Sequence, residues 1–325
     1  MKAIVVPEYG PPSVLQLTEV PIPEPEPGQV RIRVAATTVN FADIQGRRAP
    51  YINLRQPPFT AGLEASGTID AVGPGVTGLE VGQRVTAGAN GSYAEYVCAR
   101  AVEVFAIPDA LDFEQAACVP AVGITAFNLI NQAARLQPGE SLLIQAAAGG
   151  MGTALVSMAR ALGAGQIIGT VGNAAKAKLI RELGADVTIN YREEDVAERV
   201  KAATDGAGVD IVLDSVGKDT FVGSLASLAT FGRLVTFGHS SGAPEPIALE
   251  QPFYGDNKAI IGYSTGGNRR WRPEALRGPG TAVIKLLAQG RWKPLISARY
   301  PLAQAAIAHQ VVEDRESVGK VLLIP

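Results

Sequence analysis

Between residues 141 and 264 the chain repeats one pattern: a short aliphatic run, a turn, then a stretch with helical spacing. The aliphatic runs are SLLIQA (141–146), QIIGTV (166–171), DVTINY (186–191), DIVLDSV (210–216), RLVTFG (233–238) and KAIIGYS (258–264). The stretches 151–163, 174–183, 194–204 and 221–229 separate them and read as helices. Strands this apolar need cover on both faces. Alternation with helices therefore demands a parallel, doubly wound α/β sheet.

The preceding 120 residues have another texture. KAIVV opens the chain, and PIPEPEPGQ can be neither helix nor central strand. VRIRVAATTV (30–39) begins with alternation, and GTIDAVGPGV, GQRVTAG and SYAEYVCA continue the theme of short strands and glycine turns. That spacing predicts a closed or partly closed β domain. FEQAACVPAVGITAFNLINQAA, from residue 113, reads as helix interrupted around Pro120. After the sheet come two further helical stretches, TAVIKLLAQG and PLAQAAIAHQVVE, and a last strand, GKVLLIP. A length of 325 residues fits about two domains.

Within the first strand–helix unit, LLIQAAAGGMGTALVSMA places glycines where strand meets helix. Against the pattern G-x-G-x-x-G the positions are Ala147, Gly149 and Gly152. Gly149 lets backbone approach a pyrophosphate, and Gly152 lets helix and strand pack closely. Gly150, Met151 and Gly152 open the helix, whose unpaired N–H groups and positive dipole end suit phosphates. The strand–loop–helix–strand context turns a weak motif into a dinucleotide site. A site for NAD usually carries Asp or Glu at the end of the second strand, on the ribose 2′-OH. Here no Asp or Glu occurs between residues 141 and 181. Gly172, Asn173 and Lys176 stand there instead. A lysine and an amide receive a 2′-phosphate that a carboxylate would repel, so the expected cofactor is NADPH.

Other function classes are disfavoured. A net charge of −2, with acidic and basic residues mixed, gives no nucleic-acid footprint. Two cysteines, Cys98 and Cys118, and two histidines, His239 and His309, make neither a disulfide framework nor a spaced metal-ligand set. No secretory pattern opens the chain, and residues 141–159 are too rich in small residues for a membrane span. These features predict a cytoplasmic protein.

The segments VNFAD (39–43), GLEASGTIDAVGPGV (62–76), AAAGGMG, TVGNAAK, INYREED (189–195), DSVG (214–217), FGHSSG (237–242) and ESVGKVLLIP run in order over nearly the whole chain. Together they resemble the quinone oxidoreductase, zeta-crystallin-like branch of the medium-chain dehydrogenase/reductases. The resemblance implies a GroES-like β-rich catalytic domain over 1–122, a Rossmann cofactor domain over 123–266, and a return segment over 267–325. It implies an active site in the cleft between domains, and a homodimer through the edge strand KAIIGYS. Zinc alcohol dehydrogenases of the wider family carry a cysteine where this chain has Asn40, and a histidine in Gly-His-Glu where it has Leu63. Leucine cannot ligate a metal, so zinc-free chemistry is expected. Without a Lewis acid the acceptor must already favour hydride, as quinones and α,β-unsaturated carbonyls do.

By the same resemblance Asn40 and Tyr51 are the catalytic candidates, as donors to the acceptor oxygen. The resemblance places Tyr191, ending the third strand, by the 2′-phosphate, and Val216, ending the fourth, on the cofactor. Phe237, Gly238, His239 and Ser240, ending the fifth, fall near the ribose and nicotinamide, and Thr125 on the nicotinamide side. His309 and the cysteines read as structural. Two alternatives stay open: a 2-enoyl thioester reductase, and an NADPH-binding protein with little turnover. Arg269, Arg270 and Arg272 could meet a phosphate-bearing acyl carrier, although a solvated role is the preferred reading.

Overall fold

A computed structural model of the chain describes residues 1–49, 56–244, 246–248 and 250–325. Tyr51 lies outside the described residues. The chain forms two compact units, one from Met1–Ile124 with Thr265–Pro325 and one from Thr125–Ser264.

The first unit is built around the strand Gln29–Val39, whose burial alternates at first and is complete over its last four residues. Val30, Ile32 and Val34 enter a core with Ala65, Ile69, Val85, Ala87 and Val97. Val39 enters a second core with Ile4, Ile44, Tyr93, Val321 and Leu323. Segments distant in sequence pair with this strand, all antiparallel. Glu64–Val72 places Ala65 opposite Thr37, and Tyr96–Arg100 places Val97 opposite Ile32. Lys320–Ile324 places Val321 opposite Val39.

Among the elements of this unit that escape the sequence reading are helix Phe41–Arg48, helix Thr265–Trp271 and strand Ile296–Pro301. The two helices are short and contain glycine, and the strand ends in proline, so local propensity favours none of them. At Pro120 the expected interruption is a π turn, Val119–Gly123, in which the Gly123 N–H donates to the Cys118 carbonyl. Proline lacks the N–H that an α turn needs, and the wider turn accommodates it.

The second unit follows the strand–helix rhythm. Its strands are β1 (Leu142–Ile144), β2 (Ile167–Val171), β3 (Val187–Asn190), β4 (Val209–Asp214), β5 (Leu228–Thr236) and β6 (Ala259–Gly262). The helices between them are α1 (Gly150–Ala161), α2 (Ala174–Glu182), α3 (Val196–Ala203) and α4 (Phe221–Ala226). All strands are parallel, in the order β3-β2-β1-β4-β5-β6. The order reverses between β1 and β4, and the crevice outside the carboxyl ends there is where such sheets bind ligands. β5 starts earlier than the sequence suggests because Leu228 already pairs with Val209 before an irregularity. Helix α4 is shortened accordingly. β3, β4 and β5 end at Asn190, Asp214 and Thr236, so Tyr191, Val216 and Phe237–Ser240 lie in the turns beyond them rather than in the strands.

In the first unit, helix Ala305–Glu313 buries His309 completely. Its Nε2 lies 3.1 Å from the Tyr93 hydroxyl, while Nδ1 has no hydrogen-bond partner among the described residues. Burial, helped by the Arg47 cation, pushes its pKa down from 6.5 to about 3. The unfolded chain therefore binds a proton between those values that the folded one refuses. Stability from this group is full above pH 6.5 and is lost as pH falls toward 3. Urea unfolding at pH 7 and pH 5 should show His309→Gln losing about 2 kcal/mol less than the unaltered protein over that interval.

Candidate functional site

In the second unit, β1 ends at Ile144 and α1 begins at Gly150, with Gly149 as N-cap. The intervening loop is fixed from below. The Ala146 N–H donates to Thr170 Oγ1 (3.0 Å), whose hydroxyl donates to Gln145 Oε1 (2.9 Å). Gln145 Nε2 donates to Ser224 Oγ (3.1 Å), which donates to Asp214 Oδ2 (2.8 Å). Asp214 Oδ1 accepts the N–H groups of Val216 (2.7 Å) and Gly217 (3.2 Å). One buried, satisfied network thus ties the turns after β1 and β4 to each other and to β2.

Two glycines let the loop approach the sheet. A Cβ on Gly152 would lie 2.3 Å from the Ala146 carbonyl oxygen and 2.6 Å from Ala147 backbone. Ala147, where the pattern expects glycine, is accommodated from the neighbouring strand: a Cβ on Gly169 would lie 2.9 Å from the Ala147 methyl. The left-handed residue of the loop is Ala146, with φ 52°. The first turn of α1 thus presents the N–H groups of Gly150, Met151 and Gly152 beside a loop held close to the sheet.

At the end of β2, Asn173 caps α2, its Oδ1 accepting the Lys176 N–H at 2.9 Å. Tyr191 leans over Gly172: its hydroxyl is 2.9 Å from where a Gly172 Cβ would be. Arg192 Nε is 3.5 Å from the same point. Arg192 escaped the sequence reading, because only the fold brings the turn after β3 beside the turn after β2. The nearby Glu194 carboxylate is engaged by the Asn190 N–H at 2.9 Å and by Arg199.

The turns after β4 and β5 are laced together. The Ser240 N–H donates to the Ser215 carbonyl (3.2 Å), and the Ser241 N–H to that of Val216 (2.9 Å). Gly217 lies against His239, whose Cα would be 3.0 Å from a Gly217 Cβ. Val216, Phe237, Gly238, His239 and Ser240 are therefore one cluster. Thr125 is on helix Ile124–Asn128.

In the first unit, Asn40 follows the long strand and caps helix Phe41–Arg48, its N–H donating to Asp43 Oδ2 (2.9 Å). The strand registers bring Glu64 from one side and Lys320 from the other. Lys320 Nζ donates to Asn40 Oδ1 (2.7 Å) and to the Val39 carbonyl (3.1 Å), and lies 3.6 Å from Glu64 Oε1. Asn40 Nδ2 donates to Glu64 Oε1 (3.0 Å) and approaches Thr38 Oγ1 (3.3 Å). Glu64 Oε2 accepts the Ala121 N–H at 2.7 Å. Glu64 and Lys320 are both buried, and neither was singled out in the sequence. The signal was only latent, in GLE and VGKVLL.

Residues 26–109 match the family model of the alcohol dehydrogenase GroES-like domain, and residues 150–277 that of zinc-binding dehydrogenase. The chain is 38% identical over 336 residues to a quinone oxidoreductase of Pseudomonas aeruginosa, covering 100% of this chain and 99% of that one. It is 35% identical over 329 residues to a 2-haloacrylate reductase of a Burkholderia species, covering 99% and 98%. The crystal structure of Escherichia coli quinone oxidoreductase complexed with NADPH superposes with a TM-score of 0.94 at 36% identity, covering 100% of both chains. The chain belongs to the quinone oxidoreductase branch of the medium-chain dehydrogenase/reductases.

Residues 150–277 contain no cysteine and one histidine, His239. Among the described residues no group of three or more His, Cys, Asp or Glu side chains could hold a metal. Nor is Arg269 a solvated cation in this oxidoreductase: its guanidinium pairs with Glu103 and donates to the Leu63 carbonyl (3.2 Å), beside Glu64. Arg270 instead stacks over Trp271. The Gly152→Ala variant must push α1 off its loop, and should lose about 1–3 kcal/mol of stability, read from thermal denaturation without cofactor.

Proposed function

We propose that the protein is an NADPH-dependent, zinc-independent reductase that passes hydride to quinones or other activated carbonyl and enone acceptors. The end of β2 carries the cofactor assignment: no carboxylate stands there, Arg192 and the Tyr191 hydroxyl lie beside Gly172, and Lys176 follows Asn173 in the first turn of α2. Those groups fit a 2′-phosphate through charge and donated hydrogen bonds. The first turn of α1, from Gly150 to Gly152, fits the pyrophosphate. Val216 is assigned to the cofactor, Phe237, Gly238, His239 and Ser240 to the ribose and nicotinamide end, and Thr125 to the nicotinamide side. NADPH, when bound, supplies the hydride.

As hydride reaches the acceptor, the carbonyl electron pair moves onto oxygen, which then takes a proton from water. Asn40 is assigned to donate a hydrogen bond to that oxygen, with Tyr51 as a second donor. Zinc independence is inferred from the place where zinc relatives hold their metal: Asn40 and Leu63 stand at ligand positions, and the Lys320 ammonium already occupies the side facing Glu64. One tightly bound zinc per purified chain would overturn this part. The similarity to a 2-haloacrylate reductase supports activated double bonds as acceptors, and a 2-enoyl thioester reductase is the alternative reading. We also infer a homodimer through the exposed edge of β6, and a cytoplasmic location. No helix among the described residues is long and apolar enough to cross a membrane.

Oxidation of NADPH, followed by absorbance with a panel of quinones, a 2-haloacrylate and crotonyl-CoA, tests the reading. Quinones should turn over; an absence of turnover with every acceptor leaves a binding protein only. Lys176→Ala and Arg192→Ala should each weaken NADPH binding about tenfold and leave NADH binding nearly unchanged. Equal affinity of the unaltered protein for NADH and NADPH would refute the cofactor assignment.

A further inference from the structure

We infer that Lys320 is a positioning residue for acceptor reduction: its buried ammonium fixes and polarises the Asn40 amide, leaving one amide N–H to meet the oxygen that gains charge. This rests on the reading of the protein as an NADPH-dependent reductase in which Asn40 meets the acceptor.

The orientation of the amide is dictated from both sides. Its oxygen accepts from Lys320 Nζ at 2.7 Å, and its nitrogen donates to the Glu64 carboxylate at 3.0 Å. Turned over, the amide would set NH2 against an ammonium and oxygen against a carboxylate. Ordinary surroundings leave an asparagine free to flip, since its two ends differ little in shape. Here opposite charges read the two ends.

The donors also do not all go to protein. Thr38 Oγ1 and Glu64 Oε1 are hydrogen-bonded to each other, so they lie in nearly one direction from Asn40 Nδ2. The two N–H bonds of an amide diverge by about 120°, so one of them serves both oxygens. The other has no acceptor among the described residues, on a side chain that remains partly exposed. Meanwhile the ammonium at Oδ1 draws charge through the conjugated amide and makes that N–H a stronger donor. A fixed cation thus acts on the acceptor through one intervening amide.

The arrangement can persist because each charge is met. Lys320 has the Val39 carbonyl, Asn40 Oδ1 and Glu64, and Glu64 has in addition Thr38 and the Ala121 N–H at 2.7 Å. A lysine buried to this depth without such partners would be strongly destabilising.

The test is a double-mutant cycle of Asn40→Ala and Lys320→Met, assayed with NADPH and a quinone, alongside NADPH binding by fluorescence. Each single variant should lose about tenfold or more in kcat. The double variant should lose no more than Asn40→Ala, to within about twofold, because both act through one amide. NADPH affinity should stay within about twofold throughout. Losses that multiply in the double variant, or Lys320→Met with undiminished kcat, overturn the role of Lys320. Lys320→Met leaves Glu64 unpaired and can unfold the protein, so Lys320→Met/Glu64→Gln, which removes both charges, enters a parallel cycle with the same criteria. An unaltered enzyme that oxidises no NADPH with any acceptor overturns the reductase reading itself. An active one with undiminished variants overturns only the inference about Lys320.

Discussion

Strand Gln29–Val39 is hydrogen-bonded to segments that lie far from it along the chain, and the alignment of those pairs places the buried charges. Thr37 faces Ala65, which puts Glu64 beside Thr38; Val39 faces Val321, which puts Lys320 beside Asn40. A shift of one residue in either pairing would turn a charged side chain to the opposite face of the sheet. The buried Glu64 and Lys320 make such a slip unfavourable in turn, since each charge has partners only in the observed alignment. Register and polar cluster specify each other.

The nucleotide unit solves a different problem with the same economy. Its loops need rigid placement, yet loops have little packing of their own. The network from Ala146 through Thr170, Gln145 and Ser224 to Asp214 supplies it from beneath. Backbone at the strand ends is then held by buried side chains beneath it. Ala147 is part of this adjustment: a methyl where glycine is usual is matched by the absence of one at Gly169.

The α/β half was legible in the sequence because its strands are aliphatic and its helices amphipathic, so period and punctuation agree locally. Even there, β5 begins early, since pairing of Leu228 with Val209 outweighs the helical pattern of 221–229. Helix Phe41–Arg48 and strand Ile296–Pro301 were not legible, because neighbours distant in sequence stabilise them. The same division runs through the candidate site. The glycine loop and the missing carboxylate are contiguous signals. Arg192, Glu64 and Lys320 lie in segments that carry the family resemblance, but their roles become informative only when turns or strands from separate stretches meet.

The two units differ in how chain continuity feeds them. Thr125–Ser264 is one uninterrupted stretch, whereas the other unit joins Met1–Ile124 to Thr265–Pro325. During synthesis the nucleotide fold can close while the strand bearing Lys320 is still unmade. The charged cluster at Asn40 then forms last, after the slow closure of long-range strand pairs. A chain arrested before that strand would carry the nucleotide fold while the Asn40 amide still lacked the ammonium that fixes one of its ends.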